Sequence, residues 1–183
     1  MKKRREGLSR NVASSRNWFR PELLPDSIKL ERHKIEKATS LQCYDGIKIL
    51  FVENGCGTLV ANGTVYSLRP GSCCVLYCYH FHRIIPAPAN VLSISICYVS
   101  YNTYLFASIV PGYHLIEMEQ SIDPVHVLFS EPQQARIKHI LAAMEEEQAC
   151  SDSSLQHALL FEWLGRICRA FSQTSKNEAQ DHC

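Results

Sequence analysis

From Ile47 onward the apolar residues come in short runs broken by turn residues. IKILFV gives way to Glu53, Asn54 and Gly55, GTLVA to Asn62 and Gly63, and TVYSL to Pro70 and Gly71. Such runs, bounded by Gly, Pro and Asn, predict β-strands. An Asn-Gly pair between two of them is the strongest short hairpin signal, because both central residues of a type I′ turn need positive φ. TLVANGTVYSL therefore predicts a hairpin. CCVLYCY and LSISICYVSYNTYLFASI read as further strands, with HFHRI and PAPAN between them. Many short strands at close spacing predict a sandwich or small barrel.

After about residue 125 the period becomes helical. Ser130 and Gln133 have the spacing of a capping box, and Pro132 falls in the first turn, where its missing N–H costs nothing. Ile137, Ile140, Leu141 and Met144 then share one face. A second start is expected at Ser153, with Gln156 three residues on, leading into Leu155, Leu159, Trp163, Ile167 and Phe171 with Leu160 and Leu164 beside them. Both helices are amphipathic. A face this wide is expected to cover the barrel and also to meet a second subunit, with Ile137, Ile140, Leu141, Met144, Leu160, Leu164 and Ile167 as the dimer interface.

The 183 residues are 46% hydrophobic and 20% charged, enough for one sizeable core, and a formal net charge of +1 supplies no global field for nucleic acid or an anionic membrane. The charge is unevenly placed. Lys2, Lys3, Arg4 and Arg5 open residues 1–27, a basic arm whose Trp18 and Phe19 are too apolar for a purely solvated tail and are expected to dock on the domain. No apolar h-region follows the basic run and no stretch is apolar enough to span a membrane, so a soluble cytoplasmic protein is expected. The nine cysteines include no CxxC pair and are expected to be reduced and mostly buried. The polar residues 174–183 are expected to fray.

The stretch PGSCCVLYCYHFHRI concentrates three cysteines and two histidines. Cys78, His80 and His82 alternate as one face of a strand would, which raises a metal site; a turn before the histidines would break that parity. The spacing from Pro70 and Gly71 to His82 resembles the second motif of the cupins, which places one metal-ligand histidine there. If Gly55 is the glycine of the first cupin motif, Lys48 stands at the position of its glutamate and Leu41, Gln42, Cys43 and Tyr44 stand where its histidines belong. An ammonium would repel a cation, so no metal and no cofactor are expected. No GxSxG, P-loop, GxGxxG or HExxH pattern is present in the sequence, and no catalytic residues are assigned.

The frame Gly55, Gly57, Leu59, Asn62, Gly63, Tyr66, Leu68, Pro70 and Gly71, followed by a further strand and two helices, resembles the N-terminal effector-binding and dimerisation domain of AraC/XylS-type bacterial transcription regulators. The resemblance covers roughly residues 28–172. It implies a mainly β fold with C-terminal helices: a cupin-like (jelly-roll) β-barrel at 28–125 followed by two antiparallel amphipathic α-helices at 126–173. It also implies a small-molecule effector of sugar, carboxylate or phenolic type, and a homodimer or a heterodimer with a full-length regulator. DNA would be reached only through a C-terminal helix-turn-helix domain that this sequence does not contain. Lys48 and His82 are the first expected ligand contacts, with Tyr66, Tyr77, Tyr79, His80 and Trp18 behind them. The alternatives are a small metal-dependent cupin enzyme of dioxygenase or isomerase type and a ligandless protein-interaction barrel.

Overall fold

A computed structural model describes residues 28–150 and 154–181, with side chains described through 173. The elements are β1 (Ile28–Ile35), β2 (Ile47–Asn54), β3 (Gly57–Ala61), β4 (Thr64–Leu68), β5 (Ser72–Leu76), β6 (His82–Pro86), β7 (Leu92–Val99), α1 (Tyr101–Ser108), α2 (Leu115–Glu119), β8 (Val125–Leu128), α3 (Glu131–Ala149) and α4 (Ser154–Asp181). The strands form a five-stranded sheet in the order β1-β7-β2-β5-β8 and a three-stranded sheet in the order β4-β3-β6. Every pairing is antiparallel.

Three layers result, with two separate cores. Leu50, Val52, Cys74, Leu76, Ile94 and Ile96 of the large sheet meet Leu59, Ala61 and Ile84 of the small sheet in the barrel interior. Their alternates Ile47, Ile49, Phe51, Cys73, Val75 and Cys97 pack on the other face against α1–α4. A strand buried on both faces has no reason to alternate, which explains the unbroken apolar character of IKILFV and SCCVL. Lys48 has the phase of Leu50 and Val52, so its ammonium is carried into the barrel.

Local signals account for the connections. Ala61 pairs with Thr64 across a two-residue turn in which Asn62 has φ 47° and Gly63 φ 91°, the predicted type of hairpin. The capping box at the start of α3 forms, with the Ser130 backbone N–H donating to Gln133 Oε1 at 2.8 Å. Ser153 lies outside the described residues. Gly55 has φ 83°, and a Cβ there would run into the Val91 carbonyl. Both effects oppose any side chain. Gly55→Ala is therefore expected to lower the unfolding free energy by about 2 kcal/mol or more, read as an earlier urea midpoint, whereas Gly63→Ala, with nothing within 4 Å of its Cβ, loses only the backbone preference.

Several expectations are corrected. The strand read through LSISICYVSYNTYLFASI stops at Val99, where the Ser100 hydroxyl accepts from the Thr103 N–H and caps α1. The aromatic and β-branched residues there look β-prone, but Thr103, Tyr104 and Ala107 bury one helical face. The barrel reaches Leu128 rather than residue 125, because β8 closes the large sheet beside β5. The backbone helix α4 continues to Asp181, through the stretch expected to fray. Four of the eight described cysteines are buried, namely Cys73, Cys74, Cys97 and Cys168, while Cys56, Cys78 and Cys150 are exposed. The basic arm at 1–27, with Trp18, lies outside the described residues.

The largest correction concerns the helices. Ile137, Ile140, Leu141, Met144, Leu160, Leu164 and Ile167 all have 0% exposure within the single chain. They form the second core with the outer face of the large sheet. That sheet presents a full apolar face, so the helical stripe is consumed inside the chain and offers no surface to a second copy.

Candidate functional site

The barrel holds a cavity of about 210 Å³ at its β1, β2 and β7 side. Ile35, Tyr44, Ile84, Ile96 and Tyr98 make its apolar wall, and Lys48, Gln42, Thr39, Cys43, His33 and Lys34 its polar part. Among these described lining residues there is no Asp or Glu. The segment carrying Thr39 and Gln42 is stitched to β6 by backbone bonds: Gln42 and His82 exchange N–H and C=O at 2.8 Å each, and Thr39 N–H donates to Ile84 C=O at 2.9 Å. The Thr39 hydroxyl in turn accepts from Ile84 N–H at 2.9 Å.

Lys48 is 3% exposed and His82 1%. The Lys48 ammonium donates to Gln42 Oε1 at 3.2 Å and to His82 Nε2 at 3.0 Å. His82 Nδ1 lies 2.9 Å from the His80 carbonyl, an acceptor only, so Nδ1 carries the proton and Nε2 offers its lone pair to Lys48. His80 is fixed by the same logic: Nδ1 accepts from Tyr77 N–H at 3.0 Å and Nε2 donates to the Ile122 carbonyl at 3.0 Å. A continuous chain of hydrogen bonds thus links Lys48 to the segment that follows α2. Burial, and then the Lys48 charge, lower the His82 pKa to about 4, and burial lowers that of His80.

The sign of the resulting pH dependence follows directly. His82 is neutral in the fold, whereas in the unfolded chain it takes a proton near 6.5, so protons favour unfolding between these values. Stability is expected to be full above about pH 6.5 and to fall by about 2 kcal/mol from pH 7 to pH 5 through this group. His82→Gln, which keeps an acceptor for Lys48, should flatten that part of the profile in urea titrations at several pH values.

Among the described residues, the structure brings together two of the expected ligand contacts at the cavity. Lys48 is on the cavity wall, and His82 stands directly behind it. Tyr66 packs edge-on to His126, and burial together with Asp123 raises its pKa to about 12. Tyr77 belongs to the core beneath the helices, its hydroxyl 2.7 Å from that of Tyr104. Tyr79 is exposed and bonds the carbonyls of Glu119 and Ser121. The chain turns between Leu76 and His82, so Cys78 points to solvent and the Cys78, His80, His82 alternation has no common face. Gln42 and Cys43, together with Tyr44, do line the cavity, at the positions of the missing first-motif histidines. Thr39, Ile84, Ile96 and Tyr98 were not foreseen.

This donor set does not fit a cupin metal. The lone pair of the only histidine at a ligand position is taken by Lys48, and the other groups are an ammonium, an amide and a thiol. Among the described residues no cluster of three or more His, Cys, Asp or Glu is arranged to hold a metal ion. Nor is any described helix long and apolar enough to cross a membrane.

Comparison with known proteins gives one family. The model for the AraC-like ligand binding domain matches residues 24–164. No curated protein matches the chain by sequence. Among solved structures, the apo form of a ToxT variant from Vibrio cholerae is similar at TM-score 0.58 and 13% identity, over 82% of this chain and 56% of that one. ToxT from Vibrio cholerae bound to an unsaturated fatty acid gives TM-score 0.58 and 12% identity, over 85% and 57%. ToxT bound to (E)-4-(8-methylnaphthalen-1-yl)but-3-enoic acid gives 0.54 and 11%, over 79% and 58%. This chain thus spans a little over half the length of the ToxT chains, and at these identities the likeness is one of fold.

Proposed function

The chain belongs to the family of AraC-like ligand-binding domains, and from that premise we propose that its barrel senses a small organic carboxylate, which Lys48 holds by its charge. The observation that carries this reading is a buried ammonium on the wall of a cavity whose other described walls are largely apolar. A cation held out of water attracts an anionic group more strongly than an exposed one does, and the pair forms a charge-assisted hydrogen bond. Tyr98 and the isoleucines supply the apolar half of such a site. Two of the ToxT structures, one holding an unsaturated fatty acid and one a substituted butenoic acid, agree with it in ligand class.

Size narrows the ligand. A 150 Å³ apolar cavity takes up benzene, so about 210 Å³ suits benzoate or a chain of about eight carbons. Calorimetric titration with octanoate, benzoate and octanamide tests the charge requirement. Either carboxylate should bind at least about tenfold more tightly than the amide; equal affinities, or no binding by any of the three, would remove the reading.

The wider role extends this proposal by kinship. A non-enzymatic sensor in the cytoplasm, acting with a second copy or a full-length regulator and reaching DNA only through a separate domain, is what the family membership supports. Any pairing surface has to come from residues other than the buried helical stripe.

A further inference from the structure

We propose, resting on the reading that this domain acts with a second copy, that two chains pair through the outer face of α1 with Ile116 of α2 beside it. α1 has apolar residues on every side. Thr103, Tyr104 and Ala107 bury one face of it, and Tyr104 and Ala107 belong to the core beneath the large sheet. Tyr101, Leu105, Phe106 and Ile109 follow the helical spacing along the opposite side and are exposed, Phe106 to 64% and Ile109 to 74%. A helix that is apolar all round belongs in an interior, and among the described residues only one side of α1 is covered. The Tyr101 hydroxyl donates to Glu119 Oε1 at 2.7 Å, which ties α1 to α2. Ile116, exposed one turn before Glu119, extends the apolar surface onto α2.

The area suits a partner protein. Large apolar side chains present about 200 Å² each, so these five, about half exposed, offer about 550 Å². That is the upper end of what a monomer leaves open. With its polar rim the face approaches the ~800 Å² that each partner buries in a stable complex. Charge selects the occupant. α1 carries no charged residue, no Lys or Arg occurs between Arg83 and Arg136, and Glu117 and Glu119 lie on the neighbouring α2. An anionic membrane or a nucleic acid gains nothing from such a surface and is repelled by its acids. Two copies related by a two-fold axis instead set neutral side chains on neutral side chains, with no like charges at the centre. Phe106 is in the middle of the stripe, so it meets its own counterpart near the axis, and Tyr101 of one copy lies toward Ile109 of the other.

Sedimentation equilibrium of the 183-residue chain, from about 1 to about 100 μM, reads the pairing over the range of micromolar dissociation constants. The natural sequence should form a dimer. Phe106→Glu and Phe106→Lys should each weaken it by at least about 100-fold, because like charges then meet at a central position. An equimolar mixture of the two variants should dimerise again. Val65→Glu, at an exposed position of the small sheet, should leave the dimer unchanged, and all three variants should keep the natural urea midpoint. A dimer that survives Phe106→Glu, a loss that Val65→Glu also produces, or variants that fail to recombine would overturn the α1 surface and leave the pairing of copies standing. A natural chain that stays monomeric removes the pairing reading and this inference with it. A monomer that Phe106→Glu destabilises shows the face to be covered by the chain's own residues and overturns the inference in the same way.

Discussion

Leu160→Glu is expected to unfold the domain. Leu160 is fully buried in the core that α3, α4 and the large sheet share, close to Trp163 and Leu164 in sequence and in the same cluster. The substitution removes a buried leucine, which by itself costs about 2–5 kcal/mol, and puts in its place a carboxylate that has to be desolvated or protonated. The total is comparable with the whole stability of a domain, about 5–15 kcal/mol. In circular dichroism and urea titration the variant should lack a cooperative transition, or lose at least about 4 kcal/mol. Leu155→Glu is the control: that side chain is 50% exposed on the same helix, and its replacement should stay within about 0.5 kcal/mol. A well-folded Leu160→Glu monomer derived from a dimer would instead return this residue to an interface.

Lys48→Met is expected to separate binding from stability. Methionine matches the stem of lysine in length and suits an apolar wall, and it removes the cost of keeping an ammonium out of water. Stability should stay the same or rise. A charge-assisted hydrogen bond is worth about 1.5–3 kcal/mol, so octanoate affinity should fall by about 100-fold while octanamide changes little. Loss of the neighbouring charge should also raise the pKa of His82, because Lys48 is the second cause of its depression after burial. A variant that keeps its preference for the carboxylate would point to another cation, and Lys34 would be the next to test.

What could be read in the chain was mostly local. The Asn62-Gly63 hairpin, the Ser130 capping box and the two helices follow from turn chemistry and periodicity, which act over a few residues. Lys48 and His82 were legible because their spacing from Gly55 and from Pro70-Gly71 puts each at a ligand position of the barrel pattern. The fact that they touch was not, since it depends on how Gln42 bridges to β6. α1 was read as strand because Tyr101, Thr103, Tyr104 and Phe106 favour extended backbone, and only burial of Tyr104 against Tyr77 decides for the helix. The tyrosines near the histidines looked like ligand contacts by proximity in sequence. The turn from residue 77 to residue 81 sends them to the helical core and to solvent instead. The helical stripe was wide for a reason that lies elsewhere in the chain: the sheet it covers is apolar on both faces.

The central claim is that an anion sits on Lys48 inside the barrel, and a crystal structure of the domain grown with octanoate tests it directly. The carboxylate should lie within about 3 Å of Lys48 Nζ, a normal charge-assisted hydrogen bond, with the alkyl chain against Ile84, Ile96 and Tyr98. Octanoate ordered instead in the groove between Tyr113 and Arg166, with none at Lys48, would contradict it.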